Sequence, residues 1–205
     1  MLFDTEKRNM STRYDSIAEE IEKNDSLYGK SLNILSLANK IGLEVFVDEE
    51  YVVEKEMCFE LCTSARETIH KEEAQKLFDE NMPYHLMLMT PSATEQREWI
   101  AYCTVLAYLH KTRQISNGLF MAHMVGNNTL RGDLFYRIAA CLLIPHSKLN
   151  EWTSAQRNID NDYSEWTAAD IQKAAIHFRV SSFMVEERIH QYSGVMFLLN
   201  PKDYR

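Results

Sequence analysis

The stretch Gln96–His110, QREWIAYCTVLAYLH, decides how the rest of the chain is read. Trp99, Ile100, Ala101, Cys103, Val105, Leu106, Ala107, Tyr108 and Leu109 put apolar groups on nearly every side of a helix, with Thr104 as the clear polar interruption. A surface helix carries one apolar stripe, whereas a helix apolar all round belongs inside a core. The stretch is therefore expected to be the central buried helix. Its start lies in TPSATEQRE, where Thr90 or Ser92 can accept the first free backbone N–H groups.

On the N-terminal side, Pro83 introduces YHLMLM, a short apolar run that reads as a strand leading into the central helix. On the C-terminal side, the polar segment GNNTLRGD precedes LFYRIAACLLIP, a second apolar helix ended by Pro145. Two buried helices thus face each other across a polar connection. Further out, YDSIAEEIEK sets Ile17, Ala18 and Ile21 on one face of an amphipathic helix. LNILSLANKIG reads as a helix stopped at Gly42, and LEVFVD follows it as a strand. Between Tyr51 and Met82, YVVEKEMCFELC reads as strand and SARETIHKEEAQKLFDE as helix, with Ser64 and Glu67 spaced as a capping box. The C-terminal TAADIQKAAIHFRVSSFMVEERIHQYSG reads as two helices around FRVSS, capped near Thr167 and ended by Gly194, a helix-turn-helix outline.

At 205 residues, with 45% apolar and 25% charged residues, the chain can bury one good core. Its net charge of −8 opposes broad binding to nucleic acid or anionic membranes, which needs a surface that neutralises phosphates. Four cysteines, Cys58, Cys62, Cys103 and Cys141, are too few for a disulfide scaffold and suit a reducing compartment. The charged start MLFDTEKRNMSTRYDS lacks the apolar core of a secretion signal, and no apolar run approaches the roughly 18 residues of a membrane helix. The expected location is the cytoplasm.

The order of these elements, from about Leu32 to Gly194, resembles the ImmA/IrrE-type zinc metallopeptidases. In that family a strand leads into a helix of the form R-x-x-x-A-H-E-x-G-H-x-x-x-H, a frame matched here at Arg97, Ile100, Ala101, Leu109 and His110. The family's F-A-A-x-L-L-M-P is echoed in FYRIAACLLIP, and its V-S-x-x-A-x-x-x-R-L in VSSFMVEERI. The departure falls on the chemistry. The family's two zinc-binding histidines align with Tyr102 and Leu106, and its glutamate with Cys103. Two imidazoles one turn apart hold the metal, and the carboxylate between them takes a proton from metal-bound water. Neither leucine nor a buried tyrosine replaces them. The family's third ligand falls near Gly132 to Leu134, where Asp133 is the one carboxylate.

What the resemblance implies is an α+β, predominantly helical, zincin-like domain with a small β-sheet and a C-terminal helix-turn-helix-like hairpin. The expected divisions are an N-terminal helical extension over 1–30, the degenerate zincin domain over 31–150 and a helical region over 151–205 packed on it. The implied function is that of a pseudo-metallopeptidase acting by protein binding, with no metal or cofactor. A helix-turn-helix repressor or another regulatory protein is the implied partner and antirepression by sequestration one outcome.

Two alternatives stand beside this reading. A peptidase with rearranged ligands would draw on His110, His123, Cys103 and Asp133. His110 at a helix end, however, suits terminal carbonyls or solvent, and His123 in LFMAHMVG suits a hydrogen-bonded core position. Cys58 and Cys62 have no matching second pair, and a thiol at Cys103 is kept inert by apolar surroundings. Direct DNA binding would use Arg179, Ser181, Ser182 and Arg188 at the start of a recognition helix, against Glu186 and Glu187. Met184 and Phe183 read as core or interface residues. In NEWTSAQRNIDNDYSEW, the aromatic residues Trp152, Tyr163 and Trp166 either fold onto the core or form a partner-binding patch.

Overall fold

A computed structural model describes residues 13–24, 33–47, 84–88, 92–120, 134–156 and 166–193. They form helix α1 (13–22), α2 (Ile34–Ile41), strands β1 (Leu43–Val47) and β2 (Tyr84–Leu88), and the long helix α3 (Ala93–Lys111). A short helical turn at 117–120 follows, then α4 (Leu134–Leu143), α5 (His146–Ala155), α6 (Ala168–Phe178) and α7 (Ser182–Ser193). The described chain is mostly helical, with one two-stranded parallel sheet. The strand and helix expected between Tyr51 and Met82, and with them Cys58 and Cys62, lie outside the described residues.

The start of the sheet is set by how α2 ends. Asn33 caps the helix by accepting the Ser36 N–H. At the other end Gly42 takes φ 97°, a left-handed conformation that costs glycine least, and its N–H returns to the carbonyls of Ala38 and Asn39. The chain then turns straight into β1, where Leu43 pairs with Tyr84 and Val47 with Leu88. Lys111, at the end of α3, donates to the Ile41 carbonyl at 2.7 Å. A cation thus sits at the negative end of α2 and fastens it to the central helix.

Helix α3 is the central element, as its composition requires. Ser92 is the cap, its hydroxyl accepting the Glu95 N–H, and every residue from Ile100 to His110 is buried. Thr104 is accommodated because its hydroxyl donates to the Ile100 carbonyl one turn back, at 2.6 Å. Helix α4 packs along α3 through a nearly unbroken buried face, Phe135 and Tyr136 followed by Ile138 to Leu143. Tyr84, Leu86 and Leu88 of β2, Leu37 and Ala38 of α2, and Tyr14, Ala18 and Ile21 of α1 belong to the same buried cluster.

Helix α5 has no counterpart in the sequence reading. Pro145 ends α4 and also opens α5, standing at its N-cap with ψ 141°. The signal was the triplet Leu149, Trp152 and Thr153, spaced i, i+3 and i+4 and all buried, but polar neighbours hid so short a stripe.

In α6, Thr167 and Asp170 form a reciprocal capping box, the Thr167 hydroxyl accepting the Asp170 N–H while Asp170 accepts the Thr167 N–H at 3.1 Å. Thr167→Ala is expected to lower stability by about 1 kcal/mol, measured by urea unfolding.

Candidate functional site

The helix positions Tyr102, Cys103 and Leu106 all face inward. Tyr102 is 2% exposed, and Cys103 and Leu106 are fully buried. The Tyr102 ring is held edge-on between Trp99, with centroids 5.7 Å apart, and Phe135 of α4 at 6.4 Å. Burial pushes the Cys103 thiol well above its ordinary range, so it is a packing group rather than a nucleophile. Cys141 follows the same logic, raised to about 12 chiefly by burial.

Among the described residues, no three of His, Cys, Asp and Glu gather closely enough to hold a metal ion. His123, Asp133 and Tyr163 lie outside the described residues. No described helix is long and apolar enough to cross a membrane.

His110 departs from the expectation of a terminal histidine facing carbonyls or solvent. It is 8% exposed, its Nδ1 lies 2.8 Å from the Tyr84 hydroxyl and its Nε2 lies 2.8 Å from Asn117 Oδ1. An amide oxygen only accepts, so Nε2 carries the proton and Nδ1 accepts from Tyr84. The ring stacks on Phe120, with centroids 4.2 Å apart. His110 therefore joins β2, α3 and the turn at 117–120. Sequence position alone suggested an exposed helix end; the segment folding back over that end buries it.

Burial lowers the His110 pKa below 6.5, partly opposed by the Asn117 hydrogen bond. The unfolded chain then binds the proton more readily than the folded one. This share of stability is present above pH 6.5 and is lost as pH falls through 6.5 toward the folded value. Urea midpoints above and below pH 6.5 are expected to differ less in His110→Gln than in the parent. His146, also lowered by burial, stays in both and serves as the common background.

A second polar group in the core went unnoticed in the sequence. Glu98, 6% exposed on α3, accepts the Tyr136 hydroxyl of α4 at 3.2 Å and the backbone N–H of Ser181 just ahead of α7. Burial raises the Glu98 pKa, and the two donors oppose that shift. Burial and the neighbouring carboxylate also raise the Tyr136 phenol. Glu98 thus joins the central helix to the C-terminal hairpin. The available signal was an acid directly ahead of the apolar run Trp99–Cys103.

The hairpin residues separate once they are placed. Arg188, a DNA contact in the alternative reading, is fully buried. Its guanidinium donates to the Ile144 carbonyl at 2.8 Å, to Gln191 Oε1 at 3.0 Å and to Asp15 Oδ1 at 2.5 Å. A charge so engaged cannot reach a phosphate. Ser181 accepts the Met184 N–H with its hydroxyl, and only Arg179 and Ser182 are exposed. Met184 is fully buried, and Phe183 packs on Tyr136 with centroids 5.7 Å apart.

Trp152, offered as a partner anchor, is 8% exposed and belongs to the core. It stacks with His177 at 5.7 Å and meets Trp166 at 5.8 Å and Phe178 at 6.2 Å. Trp166 is half-buried at the edge of this group. No protein-family model, curated protein or solved structure matches this chain.

Proposed function

We propose that this chain is a zincin-like pseudo-metallopeptidase of the ImmA/IrrE type that regulates by binding a protein, with a helix-turn-helix repressor as the partner. The observation that carries the proposal is the packing of Tyr102, Cys103 and Leu106. In this reading these positions correspond to the ligands and base of an active enzyme, and all three are buried, Tyr102 against Trp99 and Phe135. A catalytic zinc site needs three ligands and an open fourth position, and these residue types provide neither. The arrangement of a strand running into a long central helix, with α4 along it, supports the zincin-like comparison. Binding without hydrolysis is what such a scaffold retains.

The test mixes the purified chain with a panel of helix-turn-helix repressors, each bound to its labelled operator, and follows operator release by fluorescence anisotropy. Stoichiometric release with the repressor intact on a denaturing gel is expected for one member. Zinc-dependent cleavage of a repressor, or tightly held zinc by inductively coupled plasma mass spectrometry, would overturn the proposal.

A further inference from the structure

The two ring nitrogens of His110 serve different elements in different ways. Nε2 donates to Asn117 Oδ1 in the turn at 117–120, and Nδ1 accepts the Tyr84 hydroxyl of β2, each at 2.8 Å. Phe120, fully buried, closes the group, stacked on the imidazole with centroids 4.2 Å apart and edge-on to the Tyr84 ring at 5.5 Å. The elements that meet here are not equally fixed. Tyr84 lies in the paired strand β2, and α3 is buried from Ile100 to His110. In the turn, by contrast, Gly118 and Leu119 are exposed and Asn117 is half-buried.

A proton on this ring breaks one contact and spares the other. Imidazolium is a donor at both nitrogens, so the Asn117 bond survives and gains the strength of a charged donor. Nδ1 can no longer accept, and the Tyr84 O–H then meets a second donor. A phenol that turns its hydrogen aside to accept from Nδ1 leaves its own O–H without that acceptor, which costs free energy in a buried group. The charge itself also favours water over a buried position. Among the described residues, the groups facing the ring do not ionise near neutral pH. They are Tyr84 from β2, its phenol pushed up to about 12 by burial, and Asn117 and Phe120 from the turn. The charged residues next to His110 along the chain are both cations: Lys111 directs its ammonium to the Ile41 carbonyl, and Arg113 is exposed.

We infer that His110 is a proton-operated latch: protonation keeps it on Asn117, releases it from Tyr84, and lifts the turn at 117–120 with Phe120 off β2 while the core stays folded. The ring leaves with the turn because the bond to Asn117 is the one that persists and the turn is the exposed partner. Opening uncovers Phe120 beside Leu119, itself 42% exposed, and so creates an apolar surface present only in acid. The sign follows from burial, which lowers the His110 pKa below 6.5. The closed form therefore holds above pH 6.5 and is lost as pH falls through the folded value. The latch is independent of the pseudo-peptidase reading, because it uses none of Tyr102, Cys103 and Leu106.

Two readouts on the full chain between about pH 8 and about pH 5 test the latch. One is the His110 imidazole titration by nuclear magnetic resonance, and the other is amide hydrogen exchange corrected for its intrinsic pH dependence. Exchange at Leu119 and Phe120, whose N–H groups bond to Ser116 in the closed turn, is expected to rise several-fold along the His110 titration, while Val105 to Leu109 of α3 stay protected. His110→Gln keeps an acceptor and a donor but takes no proton, and is expected to hold the turn closed at both ends of the range. Tyr84→Phe removes the donor that favours the neutral ring, so it is expected to raise the His110 pKa and to move the opening to higher pH with it. The inference is overturned if His110 takes up no proton in this range, or if it does so with no change at Leu119 and Phe120. It is equally overturned if exchange rises as much in His110→Gln, if Tyr84→Phe opens at the parent's pH, or if α3 loses protection together with the turn.

Discussion

Replacing Arg188 by alanine is expected to lower the free energy of unfolding by about 3–5 kcal/mol, the range for breaking a buried ion pair from one side. The guanidinium is fully buried and holds three acceptors, the Ile144 carbonyl, Gln191 and Asp15. Its removal takes the cation away from Asp15 of α1 and leaves space between α4 and α7. The Asp15→Asn/Arg188→Met double variant keeps most of the volume and removes both charges, so it should recover much of the loss. Urea unfolding of the parent, both single variants and the double variant gives the coupling directly. A loss below about 1 kcal/mol for Arg188→Ala would put this pair in the class of solvated surface bridges and contradict its burial.

Installing a His-Glu-x-x-His motif on α3 should be still more damaging. Tyr102→His, Cys103→Glu and Leu106→His together would place two imidazoles and a carboxylate at positions buried in the core, Tyr102 against Phe135 of α4. Leu106→Ala alone is expected to cost about 3–5 kcal/mol as a buried large-to-small change. The triple variant adds the desolvation of polar groups without partners, several kcal/mol more, and is expected to lose cooperative unfolding. The check is thermal unfolding by circular dichroism with and without zinc. A cooperative melt that rises with stoichiometric zinc would show that the core opens readily at these positions, and would weaken the binding-only proposal.

The elements that could be read from the sequence are those governed by contacts a few residues apart. The all-round apolar composition of Trp99 to Leu109 requires burial wherever the helix lies, and Ser92, Gly42 and Thr167 mark helix ends through hydrogen bonds spanning three or four residues. The apolar run YHLMLM is likewise a local pattern, and within it Tyr84, Leu86 and Leu88 meet the core. Helix α5 escaped because a stripe of three inward residues is too short to stand out from its polar neighbours.

Polar groups behaved differently, since a polar side chain's fate depends on what faces it. His110 looked like an exposed terminal histidine until Tyr84 and Asn117 enclosed it. Arg188 looked available to DNA, yet its partner Asp15 lies 173 residues away in sequence. Glu98 finds its donor at Ser181, 83 residues on.

By itself, then, the sequence determined where most of the described helices and strands form, which helix lies at the centre, and that no His-Glu-x-x-His spacing lies in it. Only the tertiary structure decided which charged groups are buried and paired. The physical reason is range. Backbone capping and apolar periodicity act within a turn or two of the chain, whereas the desolvation of a charge is set by whatever distant segment closes over it.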